Sequence, residues 1–456
     1  MGVALAPGTR VHIVGIAGSG MSGLARLLVE MGCVVSGSDA SQSAVLDELA
    51  ALGVQTRAGH DASNLASCDV VLWSPAVALD NVEVLEATRR GATALTRREI
   101  LRELASRQRV IGFTGTHGKT TATSMMVHVR RAAGLDDSRL LGAAVTGIGA
   151  NGHYGPDDLI LEVDESYGTF ELLAPYALGV LNIEADHLDH YGSLARLEGA
   201  FAALMQRTTG PVVVWNDDEG ARRVVSSIDR DVQTVGTTDD AAWKVRHVEL
   251  ARHRASFELS HDGERLEIVL GVTGFHNVAN AAVVAVVAKE LGVANDALQR
   301  GLASFQGAPR RFQYLRHWGS ADVYEDYAHL PGEISATLRA TESAGYERIV
   351  AVFQPHRVTR TTNLVSAFAG AFEGARDVIV TDIYSAGEPN PLGVTGAIVA
   401  DAIRRVNHTA TTVYAPTFAD VRAQLERVRD DCDVILFLGA GDIASVVATL
   451  DEGSDE

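Results

Sequence analysis

Short runs rich in Val, Ile and Leu alternate along this chain with longer segments whose apolar residues return every three or four positions. The first run is Val11-His12-Ile13-Val14, followed by a Gly-rich turn, an amphipathic segment over 21–31 and a second strand at Cys33-Val34-Val35-Ser36. Asp69-Val70-Val71-Leu72-Trp73 is a further strand, and 97–109 has a charged, helical period. A second block opens at Val110-Ile111-Gly112-Phe113, with a helix predicted over 122–133 and strands over 159–163, 178–183 and 211–215. Strands at 256–259 and 266–269 flank Asp262-Gly263, a hairpin signal, and a helix with an Ala/Val-rich face spans 277–291. A third block places strands at 321–324, 349–353, 378–381, 412–414 and 434–438. Strands alternating with helices predict parallel sheets covered by helices, so the fold class is α/β. At 456 residues the chain is too long for one core. Three consecutive α/β domains are expected, 1–108, 109–310 and 311–456.

Composition narrows the function classes. Hydrophobic residues make up 46% and charged residues 21%, which is ordinary for a globular protein. Lys and Arg number 39 against 58 Asp and Glu, a formal charge of −19. That balance disfavours nucleic acid and anionic membranes as partners, and any phosphate-bearing ligand has to be held by local positive groups. No apolar run reaches membrane-spanning length and the first residues show no signal-peptide pattern, so membrane insertion is not expected. Cys33, Cys68 and Cys432 lie far apart, which points away from a disulfide framework or a zinc site and toward a reducing, cytoplasmic setting. The acidic run 451–456 is expected to be a solvated end.

The strongest chemical signal is Gly115-Thr116-His117-Gly118-Lys119-Thr120-Thr121, set between a strand and a helix. This is the layout of a phosphate-binding loop, in which backbone N–H groups and a helix N-terminus face the anion. Lys119 can reach the β- and γ-phosphates of ATP, and the Thr120 hydroxyl can ligate Mg²⁺. Phe113 stands where the strict pattern has its first Gly. The bland alternative is a strand-to-helix turn with a solvated lysine.

Gly18-Ser19-Gly20-Met21-Ser22-Gly23 also follows a strand and precedes a helix, with Asp39 at the end of the next strand. By itself this is a dinucleotide-binding fingerprint with Asp39 on a ribose hydroxyl. Its physics favours any diphosphate near backbone amides, and tight strand–helix packing is the alternative. Glu162-Val163-Asp164-Glu165-Ser166 and Asn182-Ile183-Glu184-Ala185-Asp186-His187-Leu188-Asp189 end two successive strands of the second block. Carboxylates at that end of a parallel sheet suit a hard cation better than zinc. In the third block, Glu325-Asp326-Tyr327-Ala328-His329-Leu330-Pro331 and Gln354-Pro355-His356-Arg357-Val358-Thr359-Arg360-Thr361 follow strands. If a helix starts at the second of these, Arg357 and Arg360 share a face and suit a carboxylate or phosphate.

Together these residues resemble the Mur ligase family, which builds the peptide of bacterial cell-wall precursors. The resemblance runs in order over essentially the whole chain. It includes Gly15-Ile16-Ala17-Gly18-Ser19-Gly20-Met21-Ser22-Gly23, Ser36-Gly37-Ser38-Asp39, Gly115 to Thr121, Asp164-Glu165-Ser166, Asn182 to Asp189 and Phe275-His276-Asn277-Val278-Ala279-Asn280-Ala281. The run 354–361 and Asp382-Ile383-Tyr384-Ser385-Ala386-Gly387-Glu388 are similar to the branch that adds alanine. The family lacks the first Gly of the strict phosphate-loop pattern, so Phe113 is in place.

The resemblance implies a Rossmann-like first domain, a P-loop-type central ATPase domain and a Rossmann-like third domain. It implies an ATP-dependent ligase joining L-alanine to UDP-N-acetylmuramate in peptidoglycan synthesis, with ATP and Mg²⁺. The first domain would hold the UDP moiety through Gly18, Ser19, Gly20, Met21, Ser22, Asp39 and Ser74. Gly115, Thr116, His117, Gly118, Lys119, Thr120 and Thr121 would bind ATP phosphates, with Asn277 and Asn280 by the adenine. Arg311 would lie by the phosphates, and Asp326 and His329 would reach the nucleotide. Thr120, Glu165 and His187 would serve Mg²⁺, and Lys119, Glu165, His187 and His329 the chemistry. His356, Arg357 and Arg360 would bind the substrate side. Three positions depart from the alanine-adding pattern: Leu330 and Tyr167 replace a His and an Asp, and Glu325 replaces an Asp. Two rival classes remain. A nucleotide sensor derived from such a ligase predicts ATP binding without phosphate release, and a nicotinamide-dependent dehydrogenase has no use for Lys119. The sequence sets no oligomeric state.

Overall fold

Three β-sheets organise the described residues. The first contains β1 (Arg10–Val14), β2 (Val34–Asp39), β3 (Gln55–Ala58), β4 (Val70–Trp73) and β5 (Thr93–Thr96), all parallel, in the order β3-β2-β1-β4-β5. The helix Ser19–Glu30 covers it, burying Leu24, Leu27 and Leu28. Each fully buried leucine of this kind contributes about 1.5–3 kcal/mol. The structure is a computed structural model and describes residues 5–78, 80–186 and 188–450, with Tyr167 and Asp189 described by their backbones alone. His187 and the acidic run 451–456 lie outside the described residues.

The second sheet has ten strands: β6 (Val110–Thr114), β7 (Ser138–Leu140), β8 (Gly152–His153), β9 (Leu159–Glu162), β10 (Ala177–Val180), β11 (Val212–Trp215), β12 (Gln233–Gly236), β13 (Trp243–Ala251), β14 (Arg254–His261) and β15 (Glu264–Leu270). Their order is β15-β14-β13-β12-β11-β10-β6-β9-β7-β8. The expected hairpin turn joins β14 to β15, with φ of 47° at Asp262 and 84° at Gly263. The helix Phe275–Glu290 is buried along most of its length, as its Ala/Val-rich face predicts.

The third sheet holds β16 (Gln313–Trp318), β17 (Ala321–Asp326), β18 (Ile349–Phe353), β19 (Asp377–Val380), β20 (Thr411–Tyr414) and β21 (Val434–Leu438). Their order is β16-β17-β21-β18-β19-β20, parallel except for β16. By compactness the chain forms two units. One is the chain through Glu249 with Ser256–Gly271 and His276–Phe305, and the other is Leu250–Ala255, Val272–Phe275 and the chain from Gln306 on. No helix among the described residues is long and apolar enough to cross a membrane.

Most strands that went unread in the sequence are short or polar, but β13 is nine residues long with alternating burial and went unread although it carries the signal of a half-buried strand. β3 is Gln-Thr-Arg-Ala with no side chain fully buried, and β5 is Thr-Ala-Leu-Thr. Neither carries the alternation that marks a half-buried strand, and both are held by pairing with β2 and β4. The helix read over 97–109 is Arg97–Ala105, because β6 needs Val110 onward.

The topology positions the loops. β1 lies between β2 and β4, and β6 lies between β10 and β9. Successive connections leave those strands in opposite directions, which opens a crevice at their carboxyl ends. The two Gly-rich turns follow β1 and β6.

Candidate active site

Register brings the second sheet's chemistry together. Glu162 pairs with Phe113 of β6, and Thr114 pairs with Val180 of β10, so the loop after β6 is flanked by 162–165 and by Asn182. Gly118 adopts a left-handed conformation (φ 85°) at the start of the helix Lys119–Ala132. A Cβ there would stand 2.6 Å from Asn280 Oδ1. The position therefore needs glycine on both backbone and steric grounds.

Asn182 shapes the loop. Its carbonyl accepts from Thr116 N–H (3.1 Å), its Oδ1 from His117 N–H (2.7 Å), and its Nδ2 donates to His117 O (3.1 Å). The Thr116 and His117 amides are thus taken. Those of Gly118, Lys119, Thr120 and Thr121 make no bond among the described residues, as befits a helix start, and they are the donors left for an anion. His117 is half exposed, 3.7 Å from Glu184.

Lys119 Nζ donates to Gly115 O (2.7 Å), Thr116 O (3.3 Å) and Glu165 (2.8 and 3.0 Å), and stands 3.6 Å from Asp164 Oδ1. Burial works against the ammonium, but Glu165 and Asp164 outweigh it and raise its pKa. Glu165 is 1% exposed. Burial drives its carboxyl up, Lys119 opposes, and Asp164 pushes it further up. Asp164 goes the other way: burial is outweighed by Lys119, the Ser166 hydroxyl and Arg97. Two acids facing one ammonium are pushed apart in this manner. The Thr120 hydroxyl donates to Glu162 (3.1 Å), whose carboxylate also accepts from Gly142 N–H (2.8 Å). Asn277 and Asn280 are buried. No ready-made cluster of three His, Cys, Asp or Glu metal ligands occurs among the described residues.

In the first sheet, Asp39 is engaged by the turn itself, accepting from Ala17 N–H (2.9 Å) and Ala40 N–H (2.8 Å). Met21 and Ser22 are buried, and both amides donate to Gly18 O (2.9 and 2.8 Å). The amides of Ser19 and Gly20 remain open among the described residues. Ser74 follows β4 and packs under Gly15.

The third sheet gathers a different set. Asp326 ends β17, and its carboxylate accepts from Phe312 N–H and Ala328 N–H, both at 2.7 Å. Burial pushes it up to about 6 against those bonds and Arg311. Arg311 stacks on Tyr327 at 5.2 Å. His329 Nδ1–H donates to Tyr327 O (3.0 Å), and its ring stands 5.8 Å from that of His356. Arg360 donates to His356 Nδ1 (3.2 Å). Burial, with Arg360 and His329 beside it, pushes His356 down to about 4, so that ring is neutral at pH 7.

The shared helical face for Arg357 and Arg360 does not form. The helix begins at Val358, and Arg357 caps it at φ 68°, pairing with Glu388 at 3.9 Å. Gln354 ties β18 to the turn after β21 through the Asp442 backbone amide and side chain. Sequence reading gave Glu162 only a share in a cation-binding strand end, Asn182 only a place in its acidic run, and Arg310 no role. Arg310, at φ 59°, pairs with Glu325 and with the carbonyls of Gly439 and Gly441. Their signal was position at strand ends, but their partners lie far along the chain.

A parallel α/β chain with a phosphate-type loop at one switch point and a second Gly-rich turn at another defines a nucleotide-dependent enzyme class. Residues 10–109 match the Mur ligase family, catalytic domain, 113–288 the Mur ligase middle domain, and 310–441 the Mur ligase, glutamate ligase domain. The chain belongs to the Mur ligase family of ATP-dependent amide-forming ligases. It is 39% identical over 451 residues to the UDP-N-acetylmuramate–L-alanine ligase of Burkholderia cenocepacia, covering 96% of this chain and 97% of that one. It is 38% identical over 440 residues to the protein of that name from Anaeromyxobacter dehalogenans, with 96% of each covered. The crystal structure of UDP-N-acetylmuramate-alanine ligase from Thermotoga maritima superposes with a TM-score of 0.83 at 29% identity, covering 97% and 98% of the two chains.

Proposed function

We propose that this chain joins L-alanine to UDP-N-acetylmuramate at the expense of ATP, in the cytoplasm, as a step of peptidoglycan precursor synthesis. The observation that carries the reading is the collinear match of nearly the whole chain to ligases of that name. A carboxylate is a poor acyl electrophile. One of its oxygens attacks the γ-phosphorus of ATP, the bond to the β-phosphate oxygen breaks, and ADP leaves. The alanine nitrogen attacks the resulting acyl phosphate, phosphate departs with the C–O electrons, and the nitrogen sheds a proton. Positioning and charge neutralisation carry such a reaction.

The residues suit these tasks. The open amides of Gly118 to Thr121 and the Lys119 ammonium cradle phosphate oxygens, with Gly115, Thr116 and His117 shaping the loop. Asn277 and Asn280 take the adenine side, and Arg311 and Asp326 also serve the nucleotide. His329 keeps a bare Nε2 when Nδ1–H donates to Tyr327 O, which fits it to take a proton. His356, Arg357 and Arg360 serve the substrate side. The Thr120 hydroxyl, Glu162 and Glu165 offer the hard oxygen donors that Mg²⁺ prefers, and His187 completes the proposed set. When bound, the ion neutralises charge on the phosphate oxygens.

The test is phosphate release with UDP-N-acetylmuramate and a panel of amines. L-Alanine is expected to give the highest kcat/KM, with glycine and serine slower, since one methylene changes selectivity by about 1–3 kcal/mol. A second reading, another amine, is favoured by Leu330 and Tyr167. A tenfold preference for a short peptide or another amino acid would establish it. ATP binding with no phosphate release under any substrate leaves the sensor reading.

A further inference from the structure

Arg97 is a charged residue that the site described above does not use. It begins the helix Arg97–Ala105, directly after β5. A capping box fixes it there: Glu99 accepts from the Thr96 amide and hydroxyl, both at 2.7 Å. From that anchored position the side chain reaches back across the carboxyl edge of the first sheet to the Gly-rich turn. A Cβ built on Gly20 would stand 2.9 Å from Arg97 Nη2 and 3.0 Å from its Cζ and Nε. The guanidinium therefore lies against Gly20, where a Cβ would press on it and make the arginine shift.

The guanidinium also has one unsatisfied nitrogen. Its Nε is buried and has no hydrogen-bond partner, and no carboxylate among the described residues pairs with the group. Asp164 lies near enough for Arg97 to contribute to its depressed pKa, but beyond ion-pairing distance. Keeping a guanidinium nitrogen buried without a partner is costly unless an acceptor arrives. Beside it, the Ser19 and Gly20 amides at the helix start are likewise open among the described residues.

We infer that Arg97 binds the diphosphate of the nucleotide-linked substrate, clamping it against the Ser19 and Gly20 amides. The planar fork matches two phosphate oxygens at once, which a lysine cannot reproduce. The inference rests on the reading that this turn receives a UDP-linked substrate. It adds a binding residue from another element, far along the chain from the turn itself.

Calorimetry with UDP as the probe tests it in wild type, Arg97→Gln and Arg97→Lys, with ATP titrated in parallel. Arg97→Gln should weaken UDP by about ten- to a hundredfold, the range for losing a charge-assisted bond. Arg97→Lys should fall between. ATP affinity should stay within about twofold in both. The unliganded melting temperature of Arg97→Gln should equal or exceed that of wild type, since no partner is lost. If wild type does not bind UDP, the substrate reading fails. If wild type binds UDP and Arg97→Gln binds it equally well, the assignment to Arg97 is wrong. Equal losses for UDP and ATP, or a clear drop in melting temperature, would make Arg97 a structural counter-ion of Asp164 and overturn the proposal.

Discussion

Replacing Lys119 with alanine removes the ammonium 2.8 Å from Glu165 and 3.6 Å from Asp164. Two enclosed carboxylates then face each other without a cation between them. Removing one partner of a buried pair costs about 3–5 kcal/mol. At about 2–4 °C per kcal/mol for a large domain, the melting temperature should fall by roughly 10 °C. Glu165 relieves the strain by protonating, because burial and Asp164 already drive its carboxyl up and Lys119 is the group opposing them. A carboxyl that binds its proton more tightly folded than unfolded makes stability fall as pH rises above the ordinary glutamate value of 4.5. The Lys119 contribution in wild type has the opposite habit. It is fully present below 10.5 and lost only as pH rises through the raised folded value, so a scan from about pH 5.5 to 8 leaves it intact. The deficit of Lys119→Ala relative to wild type should therefore be smaller at the acid end of that scan than at the alkaline end. Adding Glu165→Gln should recover part of the loss, a coupling of about 1–3 kcal/mol. Scanning calorimetry on the two single variants and the double variant measures both, and phosphate release should drop by about 10²–10³. Equal deficits at both pH values, with the two substitutions simply adding, would refute the idea that Lys119 neutralises this pair.

Gly118→Ala should weaken ATP by at least about tenfold with the circular dichroism unchanged, because the left-handed backbone penalty of about 1 kcal/mol adds to a Cβ pressed on Asn280; unaltered ATP affinity would show that the loop tolerates a side chain there. Glu162→Gln should lower turnover at limiting Mg²⁺ and recover at high Mg²⁺, and a flat comparison in a magnesium titration would leave Glu162 as a clasp for Thr120 and Gly142 alone. Burial opposes ionisation of Glu83, but His12, Ser38 and Asn64 hydrogen-bond it and hold it at about 2. Its stabilisation is present above 4.5 and lost as pH falls from 4.5 toward 2, so the melting gap between wild type and Glu83→Gln should narrow in that window by about 2–3 kcal/mol.

Much of the site was legible because its geometry is local. Gly115 to Thr121 is a short stretch between a strand and a helix, and a helix start leaves its first amides open to an anion by local geometry, although Asn182 sets the loop's exact path. Continuous apolar runs behaved likewise: Ile349–Phe353 and Val434–Leu438 fall where they were expected, since an unbroken row of buried positions leaves little freedom. Arg357 and Arg360 show the limit. Spacing alone put them on one face, but the bridge between His356 and Tyr384 delays the helix start, and the two guanidinium groups go to different partners.

The sequence by itself determined the alternation of strand and helix, the two Gly-rich turns and the acidic strand ends, because each is set by residues within a few positions of one another. Tertiary structure decided which of those groups meet. Asn182 reaches His117 and Glu162 reaches Thr120 only because β10 and β9 flank β6, and Met21 joins the core because its helix packs on the first sheet. Strands as polar as β3 and β5 exist only through their neighbours. Pairing across tens of residues depends on sheet order and register, and a local pattern of apolar and polar positions carries no record of either.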